Sequence, residues 1–580
     1  MTLPATSFAW LNLAAAALAA GIWYLWPAAG GWPLLLGLSP WLLARRLPPR
    51  SPGHAPLLLF VLTAAGSIWA AYDRPVAWSK FWLIIGGWLL FVALLALIRA
   101  GLATQAIWLI AAFGAAVGLY FLATNDWSRY PVKMTGLATL GQAWQSWLPA
   151  LPGHRLHPNV AGGVLAMSVP FAASVVWYAG SRRARGTGAA LLLLTLVGLL
   201  FTTSRGAWAA VAAAALLAAG WHLAGRFSRQ VGERHWLIWG GSCGSATLLL
   251  AALLLAPALP AADSALSRLV LYRDTLFLAA DYPLLGAGLG SFPLLYASYS
   301  LLVHVAHTVH AHNLWLNVAI EQGLFGVLAL VWLLWLVGIA LWRAPTARLS
   351  APLAAGILAL VTILAHGMVD DAFYGSRALL LLFAPLAFAL ADSPPASVGV
   401  LPAFRRINRR WTLALLFLLL ALLPWQRSLR ALVWRNLAAV QQSRLELTLY
   451  RWPDWPLQDA VRRAVDLSQP VANYERALSL DPASASANRR LGQIELSLGH
   501  YLSALAHLQA AYLAAPTHNA TRQLLGEAYI AAGQPAAGAA LWQHVNNEQG
   551  QLALRAFWYE YLGDAQRLAW IRQAASTSAR

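Results

Sequence analysis

The sequence is short of cysteine and short of charge. Its 580 residues include one cysteine, Cys243, which lies in an apolar run, so no intrachain disulfide can form. Charged residues make up 11% of the chain, whereas soluble globular domains contain about 25%. Hydrophobic residues make up 59%. This composition excludes an ordinary soluble protein and indicates a chain that crosses a membrane many times.

Acidic residues are scarce over most of the chain and concentrated near its end. Residues 1–425 contain 10 acidic residues, and residues 426–580 contain 11. The change near Trp425 predicts a boundary between a membrane domain and a more polar C-terminal domain. The net charge of +19 comes without an RNA- or DNA-binding motif, and the basic residues before position 426 sit in short clusters between apolar runs. We therefore assign this charge to membrane orientation and expect no nucleic-acid partner.

Apolar runs of about 20 residues predict the membrane helices, and about 12–13 of them fit within residues 1–425. The runs lie at 8–27, 32–45, 55–72, 80–99, 104–123, 160–180, 188–203, 207–225, 236–259, 320–342, 351–369, 377–392 and 411–425. No basic residue precedes the first run, so we interpret it as a membrane helix rather than a cleaved signal.

Loop charges predict the orientation of the chain. With the N-terminus in the cytoplasm, 16 of the 25 basic residues before position 426 fall in cytoplasmic loops, as the positive-inside rule requires. This orientation predicts a multi-pass protein of the cytoplasmic (inner) membrane. It places residues 124–159, the long loop 260–319 and the C-terminal domain on the extracytoplasmic side.

The C-terminal domain contains an internal repeat. Three positions recur after 34 residues: Leu491-Gly492 as Leu525-Gly526, Gly499 as Gly533, and Pro482 as Pro516. This period and pattern resemble tetratricopeptide repeats (TPR). We therefore predict a linker over 426–455 and an α-helical TPR-like solenoid over 456–580, with a generic bundle of helical hairpins as the alternative. The predicted fold class is all-α: a polytopic transmembrane helical bundle followed by this solenoid.

A cluster of histidines marks the candidate site. His304, His307, His310 and His312 lie within nine residues, directly before an apolar run. Titratable side chains at a membrane boundary are costly to keep there, so they indicate a functional site. Their spacing is compatible with zinc, but neither a cysteine nor a close carboxylate joins them. We favour one functional histidine, with the other histidines as solvated loop residues.

The loop before the histidines has the pattern of a helix followed by a glycine-rich turn. Residues 264–292 read SALSRLVLYRDTLFLAADYPLLGAGLGSF, and the helix is expected to stop near Asp281. The glycines look like a dinucleotide-binding loop, but no alternating strand–helix–strand pattern surrounds them. We reject a dinucleotide site on that ground.

Taken together, these segments resemble a known family. RLVLYRDTLFLAADYPLLGAGLGSF followed by HAHNLWLNVAIEQGLFG looks like the O-antigen ligase/polymerase family, the Wzy/WaaL-like membrane glycosyltransferases. Three shorter motifs follow the family's order: His157-Pro158-Asn159, Ser204-Arg205-Gly206, and His366-Gly367-Met368-Val369-Asp370. The resemblance covers roughly residues 150–390 and implies a GT-C-like membrane bundle.

The resemblance also implies a reaction. Enzymes of this family take a glycan from undecaprenyl diphosphate outside the cytoplasmic membrane and pass it to an acceptor hydroxyl. The transfer is a direct displacement with inversion at the anomeric carbon, without metal or cofactor. The acceptor is a lipid, as in lipopolysaccharide synthesis in the cell envelope, or a protein.

The family's catalytic residues correspond to Arg205, Arg268 and His312. Arginine keeps its charge and offers a fork of donors, which suits the departing diphosphate. An imidazole beside cationic arginines has a lowered pKa, which suits a general base for the acceptor hydroxyl. Substrate-binding candidates are Arg273 (an alternative to Arg268), His310, Asn313, His157, Asn159 and Asp370.

Structural alternatives and other functions remain open at this point. The arginines can be interfacial or lipid-binding residues, His157 and Asn159 can cap a helix, and Asp370 can sit at a helix end at little cost. A Wzy-type polysaccharide polymerase and a protein O-oligosaccharyltransferase share the chemistry. A transporter or flippase and a TPR membrane scaffold belong to different classes, and a scaffold would leave the arginines and His312 dispensable. Repeat stacks present concave surfaces to a protein partner, which tilts the interpretation towards a ligase.

Overall fold

The computed structural model describes residues 4–130, 132–231, 262–343, 349–393, 426–450, 456–545, 547 and 550–578. Within these ranges every regular element is a helix, as the predicted all-α class requires. The helices of the membrane domain are α1 (Ala5–Leu25), α2 (Trp32–Leu43), α3 (His54–Ala70), α4 (Arg74–Leu97), α5 (Ala103–Thr124), α6 (Thr135–Trp147), α7 (Pro158–Tyr178), α8 (Arg182–Phe201), α9 (Arg205–Val231), α10 (Ala262–Asp281), α11 (Phe292–Tyr296), α12 (Leu314–Arg343), α13 (Ala351–Gly367) and α14 (Ala384–Ala389).

Length and composition decide which of these helices can cross a membrane. Among the described residues, α1, α7, α8, α12 and the segment Arg74–Thr124 are long and apolar enough. That segment contains both α4 and α5, joined by a π turn in which Gly101 has φ 85°. Helices α2, α3 and α13 are apolar but shorter. The predicted polytopic helical membrane bundle is confirmed.

One predicted span is interrupted and two cannot be compared. The run 377–392 contains a 3₁₀ turn, Arg377–Leu381, followed by the six-residue α14. Polar Ser376 caps this turn, and both pieces are buried in the core of the bundle. The runs 236–259 and 411–425 lie outside the described residues.

Small residues bring three helices together beneath the candidate site. A Cβ atom added at Gly163 of α7 would lie 2.4 Å from the Cβ of Ala372, and one at Gly206 of α9 would lie 2.7 Å from Cγ2 of Val369. Neither position can hold a larger residue unless the neighbouring chain shifts. Helices α7, α9 and α13 therefore meet closely, with His366 sealed between them.

The glycine-rich turn after α10 fills a break in α12. Gly323 has φ 69°, which interrupts the helix and frees carbonyl groups from their usual partners. The Ala287 N–H donates to the carbonyl of Ile320 at 2.7 Å, and the Leu324 N–H donates to the carbonyl of Pro283 at 2.9 Å. The glycines thus serve close backbone packing, and α10 ends at Asp281 where the sequence predicted a stop.

The C-terminal helical domain consists of helices that pack in sequential pairs. Its helices are α15 (Arg427–Leu447), α16 (Gln458–Ala464), α17 (Ser468–Leu480), α18 (Ala485–Leu498), α19 (Tyr501–Ala514), α20 (Asn519–Ala531), α21 (Pro535–Trp542), α22 (Gln551–Tyr561) and α23 (Ala565–Ser578). The starts of α18 and α19 recur 34 residues later as the starts of α20 and α21. Gly499 and Gly533 both have positive φ at equivalent turns. Within the predicted linker over 426–455, residues Arg427–Leu447 form a full helix, α15. It packs against α17 through Ala438 and through Gln442, whose side chain accepts a hydrogen bond from the Tyr474 hydroxyl.

A buried ion-pair network joins the C-terminal helical domain to the membrane domain. Asp281, at the end of α10, is fully buried and accepts hydrogen bonds from Arg489 at 2.6 Å and Arg490 at 2.8 Å. Arg490 also donates to the Tyr282 hydroxyl at 2.7 Å and lies 3.5 Å from the ring centroid of Tyr299. Against the effect of burial, the two guanidinium groups hold the pKa of Asp281 well below its usual range. The network fixes α10 against α18.

Replacing Asp281 with Asn tests this network. The variant leaves two buried arginines without their carboxylate, which costs about 3–5 kcal/mol of stability for a broken buried ion pair. We expect a lower thermal unfolding midpoint of the purified protein and easier proteolytic release of the C-terminal helical domain. Arg572→Gln, which breaks an exposed pair with Glu560, is the control and should change stability by less than about 1 kcal/mol. Equal midpoints for the two variants would contradict the assigned role.

Candidate active site

The candidate site forms where helix ends meet at one end of the membrane bundle. The starts of α7, α9 and α12 and the end of α13 converge there, and α10 runs alongside. These ends carry His157, Arg205, His312 and Asp370. Four segments that are distant in the sequence thus supply one group of side chains.

His312 is held by its backbone as well as by its side chain. It has φ 49°, a left-handed conformation that is uncommon outside glycine. Its carbonyl accepts a hydrogen bond from the Tyr272 hydroxyl at 2.9 Å, and that hydroxyl also lies 3.1 Å from the carbonyl of Met368. Asn313 caps α12 by accepting from the N–H groups of Trp315 and Leu316. The imidazole therefore projects from a rigid turn.

Asp370 sets the tautomer of His312. Nδ1 of His312 lies 2.9 Å from Oδ1 of Asp370. The same carboxylate accepts from the Asn159 amide and from the N–H of Asp371. Although burial opposes ionisation, the hydrogen bond from His312 and the charges of neighbouring histidines hold the pKa of Asp370 well below its usual range.

The ionised carboxylate can only accept hydrogen bonds, so Nδ1 of His312 carries the proton. In the neutral imidazole, Nε2 then has the lone pair. The His312 side chain is 31% exposed, and no described residue hydrogen-bonds to Nε2. The arrangement leaves one basic nitrogen facing outward while the other is fixed.

His310 packs against His312 and supports its backbone. The two ring centroids lie 4.4 Å apart, edge to face, and Nδ1 of His310 accepts the N–H of His312 at 3.2 Å. Burial, reinforced by the neighbouring His312, lowers the pKa of His310 to about 4. His310 is therefore neutral at pH 7.

His310, His312 and Asp370 also have the geometry of a metal-ligand set. Their ligand atoms all lie within 4.8 Å of one another. Two imidazoles and a carboxylate suit zinc or another divalent transition metal. Sequence reasoning found no carboxylate near the histidines because Asp370 is distant in the sequence.

Three cations lie beside the His312–Asp370 pair. Arg205 is exposed at the start of α9 and Arg268 is half-buried on α10; among the described residues neither has an ion-pair partner. Burial and the charges of both arginines lower the pKa of Lys133, and Asp370 opposes this shift. The structure thus adds Lys133 to the site, from a loop whose sequence carries no motif.

Arg268 and Arg273 lie on different sides of α10 and have different neighbours. The charges of Arg268 and Asp370 act on Tyr272, which lies one helical turn after Arg268. Arg273 is five positions beyond Arg268, a rotation of about 140° on the helix, and it pairs with Asp274 at 3.3 Å. Arg268 is therefore the arginine of α10 that belongs beside His312.

The remaining predicted residues surround this centre. Nδ1 of His157 accepts the N–H of Asn159 at 3.3 Å and caps α7, so the capping alternative holds, although the ring also lies near Asp370. His307 is exposed. The structure brings in Asp371, whose carboxylate accepts from Asn317 and whose pKa burial raises to about 6.

A family comparison agrees with this geometry. Residues 189–331 match a family model described as O-antigen ligase. This part of the chain is similar to an O-antigen ligase domain. The match includes Arg205, Arg268 and His312, and it supports an O-antigen ligase/polymerase-type membrane enzyme. No curated protein matches the chain.

The pKa of His310 gives a pH-dependent prediction for the O-antigen ligase domain. Its folded pKa of about 4 lies below the ordinary value of 6.5, so the unfolded chain binds a proton first as the pH falls. Stability contributed by neutral His310 is present above pH 6.5 and is lost as the pH falls towards 4. His310→Asn keeps an acceptor and cannot titrate, so its thermal midpoint should fall less between pH 7 and 4 than that of the original protein. Parallel curves would contradict the assignment.

Proposed function

We propose that this chain is a glycan ligase. It transfers a glycan from an undecaprenyl-diphosphate-linked donor to the hydroxyl of a lipid or protein acceptor, on the extracytoplasmic face of the cytoplasmic membrane. The observation that carries the proposal is the Nε2 of His312, whose Nδ1 is fixed by Asp370. It lies beside Arg205 and Arg268, and within the part of the chain that the structure describes neither the Nε2 nor these cations have a partner. A general base and diphosphate-binding groups at a membrane boundary are the parts that this reaction needs.

The base acts on the acceptor. Nε2 of His312 takes the hydroxyl proton while the acceptor oxygen attacks the anomeric carbon of the donor sugar. Asp370 holds the imidazole and stabilises the imidazolium that forms, as a positioning residue. The new glycosidic bond forms on the face opposite the leaving group, so the configuration inverts.

The cations act on the leaving group. The bond between the anomeric carbon and the diphosphate oxygen breaks, and undecaprenyl diphosphate departs with the bonding electrons. Arg205 and Arg268 can each form forked hydrogen bonds to the diphosphate oxygens, and Lys133 adds a third charge. The half-buried position of Arg268 strengthens its interaction by excluding water.

Substitutions at the site test the proposal. His312→Asn tolerates the left-handed backbone but cannot act as a base, and a general base contributes about 10²–10⁴-fold to the rate. Arg205→Gln and Arg268→Gln should each lower the rate by about 10²–10³-fold through lost stabilisation of the leaving group. The matched control is His307→Ala, which removes an exposed histidine five residues away. The measurement is glycan profiling of a deletion strain complemented with each variant.

The profiles separate the related functions. Accumulated lipid-linked donor with a missing acceptor glycoform supports the ligase, and a missing protein glycoform identifies a protein acceptor. Loss of long chains from the lipid-linked donor indicates a Wzy-type polymerase instead. Full activity in all three site variants would contradict the enzyme proposal and would indicate a transporter or a scaffold.

The metal-ligand geometry gives an independent prediction. If His312 acts as a free base, the purified enzyme keeps its transfer rate after treatment with a chelator and dialysis. If His310, His312 and Asp370 hold a required metal, the rate falls by orders of magnitude and returns on addition of zinc or manganese. The second result would replace the general-base mechanism with metal activation of the acceptor.

A further inference from the structure

A large cavity lies between the two domains, away from the His312 site. It has a volume of about 1110 Å³. It is lined by residues 71–76, at the turn from α3 into α4, by residues 441, 444, 445, 447, 448 and 450 at the end of α15, and by residues 469 and 470 of α17. Small-molecule sites typically measure about 300–1,000 Å³, so the cavity can hold a group of headgroup size.

The cavity carries two arginines without an anionic partner among the described residues. Arg74 is exposed at the start of α4, and Arg444 projects from α15 with its guanidinium carbon 5.5 Å from the ring centroid of Trp69. Burial and the positive charge of Arg74 both lower the pKa of Arg444. The two guanidinium groups therefore lie close enough to interact. Asp73 also lines the cavity, but one of its oxygens caps α4 by accepting the N–H of Val76. The lining therefore has an excess of positive charge.

The rest of the lining is partly apolar. Exposed Val76 and Leu445 supply apolar wall. An anionic oxygen would satisfy both arginines, because each guanidinium group donates and neither has an anionic partner among the described residues.

The position of the cavity identifies the kind of anion. It opens where two apolar helices, α3 and α4, end and begin. Trp69 and Trp78 flank this point and are 45% and 46% exposed. Exposed tryptophans at helix ends lie at the headgroup level of a bilayer. At this level of the bilayer, phosphate groups belong to lipid headgroups. A phosphate that enters the cavity from there is therefore attached to acyl chains.

We propose that this cavity binds the phosphate headgroup of an anionic membrane phospholipid, which bridges α4 of the membrane domain and α15 of the C-terminal helical domain. Arg74 and Arg444 clasp the phosphate, and the acyl chains leave along α3 and α4. The bound lipid stabilises the contact between the domains because it binds only when both arginines face each other. This site is separate from the donor diphosphate site.

Lipid retention by the purified full-length protein tests the proposal. The protein is placed in nanodiscs of phosphatidylcholine with or without phosphatidylglycerol, and bound lipids are counted by native mass spectrometry. We expect one retained phosphatidylglycerol and a higher thermal midpoint in its presence. Arg74→Gln with Arg444→Gln should weaken retention about tenfold for each arginine, since a hydrogen bond to a charged group is worth roughly that factor.

Two further variants separate a built site from general surface charge. Arg427→Gln with Arg430→Gln removes the same charge from exposed positions on the same helix, α15, and should retain the lipid. Leu445→Trp keeps all charges but fills the cavity and should lose it. Equal loss in the two double variants would overturn the proposal, because peripheral attraction alone would then explain binding. Equal stabilisation by inorganic phosphate in lipid-free detergent would overturn the assignment to a lipid.

Discussion

The buried carboxylate of Asp281 is the interaction on which the arrangement of this protein depends. It ends α10, the helix that carries Arg268 and Tyr272, and it meets Arg489 and Arg490 from a helix more than 200 positions later. A fully buried charge is tolerated only when it is paired and hydrogen-bonded, so the pairing geometry allows little freedom. The C-terminal helical domain, through Arg489 and Arg490 of α18, thereby fixes the position of α10.

The site itself is built by a similar rule on a smaller scale. The turn at His312 has a left-handed residue, and its carbonyl, its N–H and its side chain all have partners. The three partners come from different places: Tyr272 from the middle of α10, Asp370 from the segment after α13, and His310 from the turn itself. A residue held in this manner changes little when substrate arrives, which is the form of preorganisation that electrostatic catalysis requires.

The fold and the site differ in how far the sequence predicts them. Hydropathy predicted the membrane helices, because a helix that crosses the bilayer needs about 20 mostly apolar residues of its own sequence. It did not predict the interruption within residues 377–392, where the apolar run forms a 3₁₀ turn followed by a short helix. The 34-residue period of the sequence recurs in the spacing of the helix starts of α18 to α21, but α15 carries no repeat signature and lies where a linker was expected.

Within the site, motifs predicted the residues that lie in conspicuous patterns, such as His312 and Arg205. They could not predict Lys133, because its loop has no pattern, nor the pairing of Asp370 with His312, because that contact joins residues 58 positions apart. The sequence alone did not decide between Arg268 and Arg273. The choice required the orientation of α10 in the structure, which turns the two side chains to different sides of the helix. Long-range pairing of polar groups depends on tertiary packing, which local sequence does not encode.

The position of Arg489 and Arg490 in the chain has a consequence for the order in which the protein matures. The ribosome makes them 177 and 178 residues after His312. At about 5–20 residues per second, this separation corresponds to roughly 10–35 s of synthesis. During this interval the membrane helices can already be inserted while α10 has no clamp. A growing chain therefore fixes the position of α10 only after Arg489 and Arg490 have been made, so a product truncated before them would be inserted in the membrane with α10 unclamped.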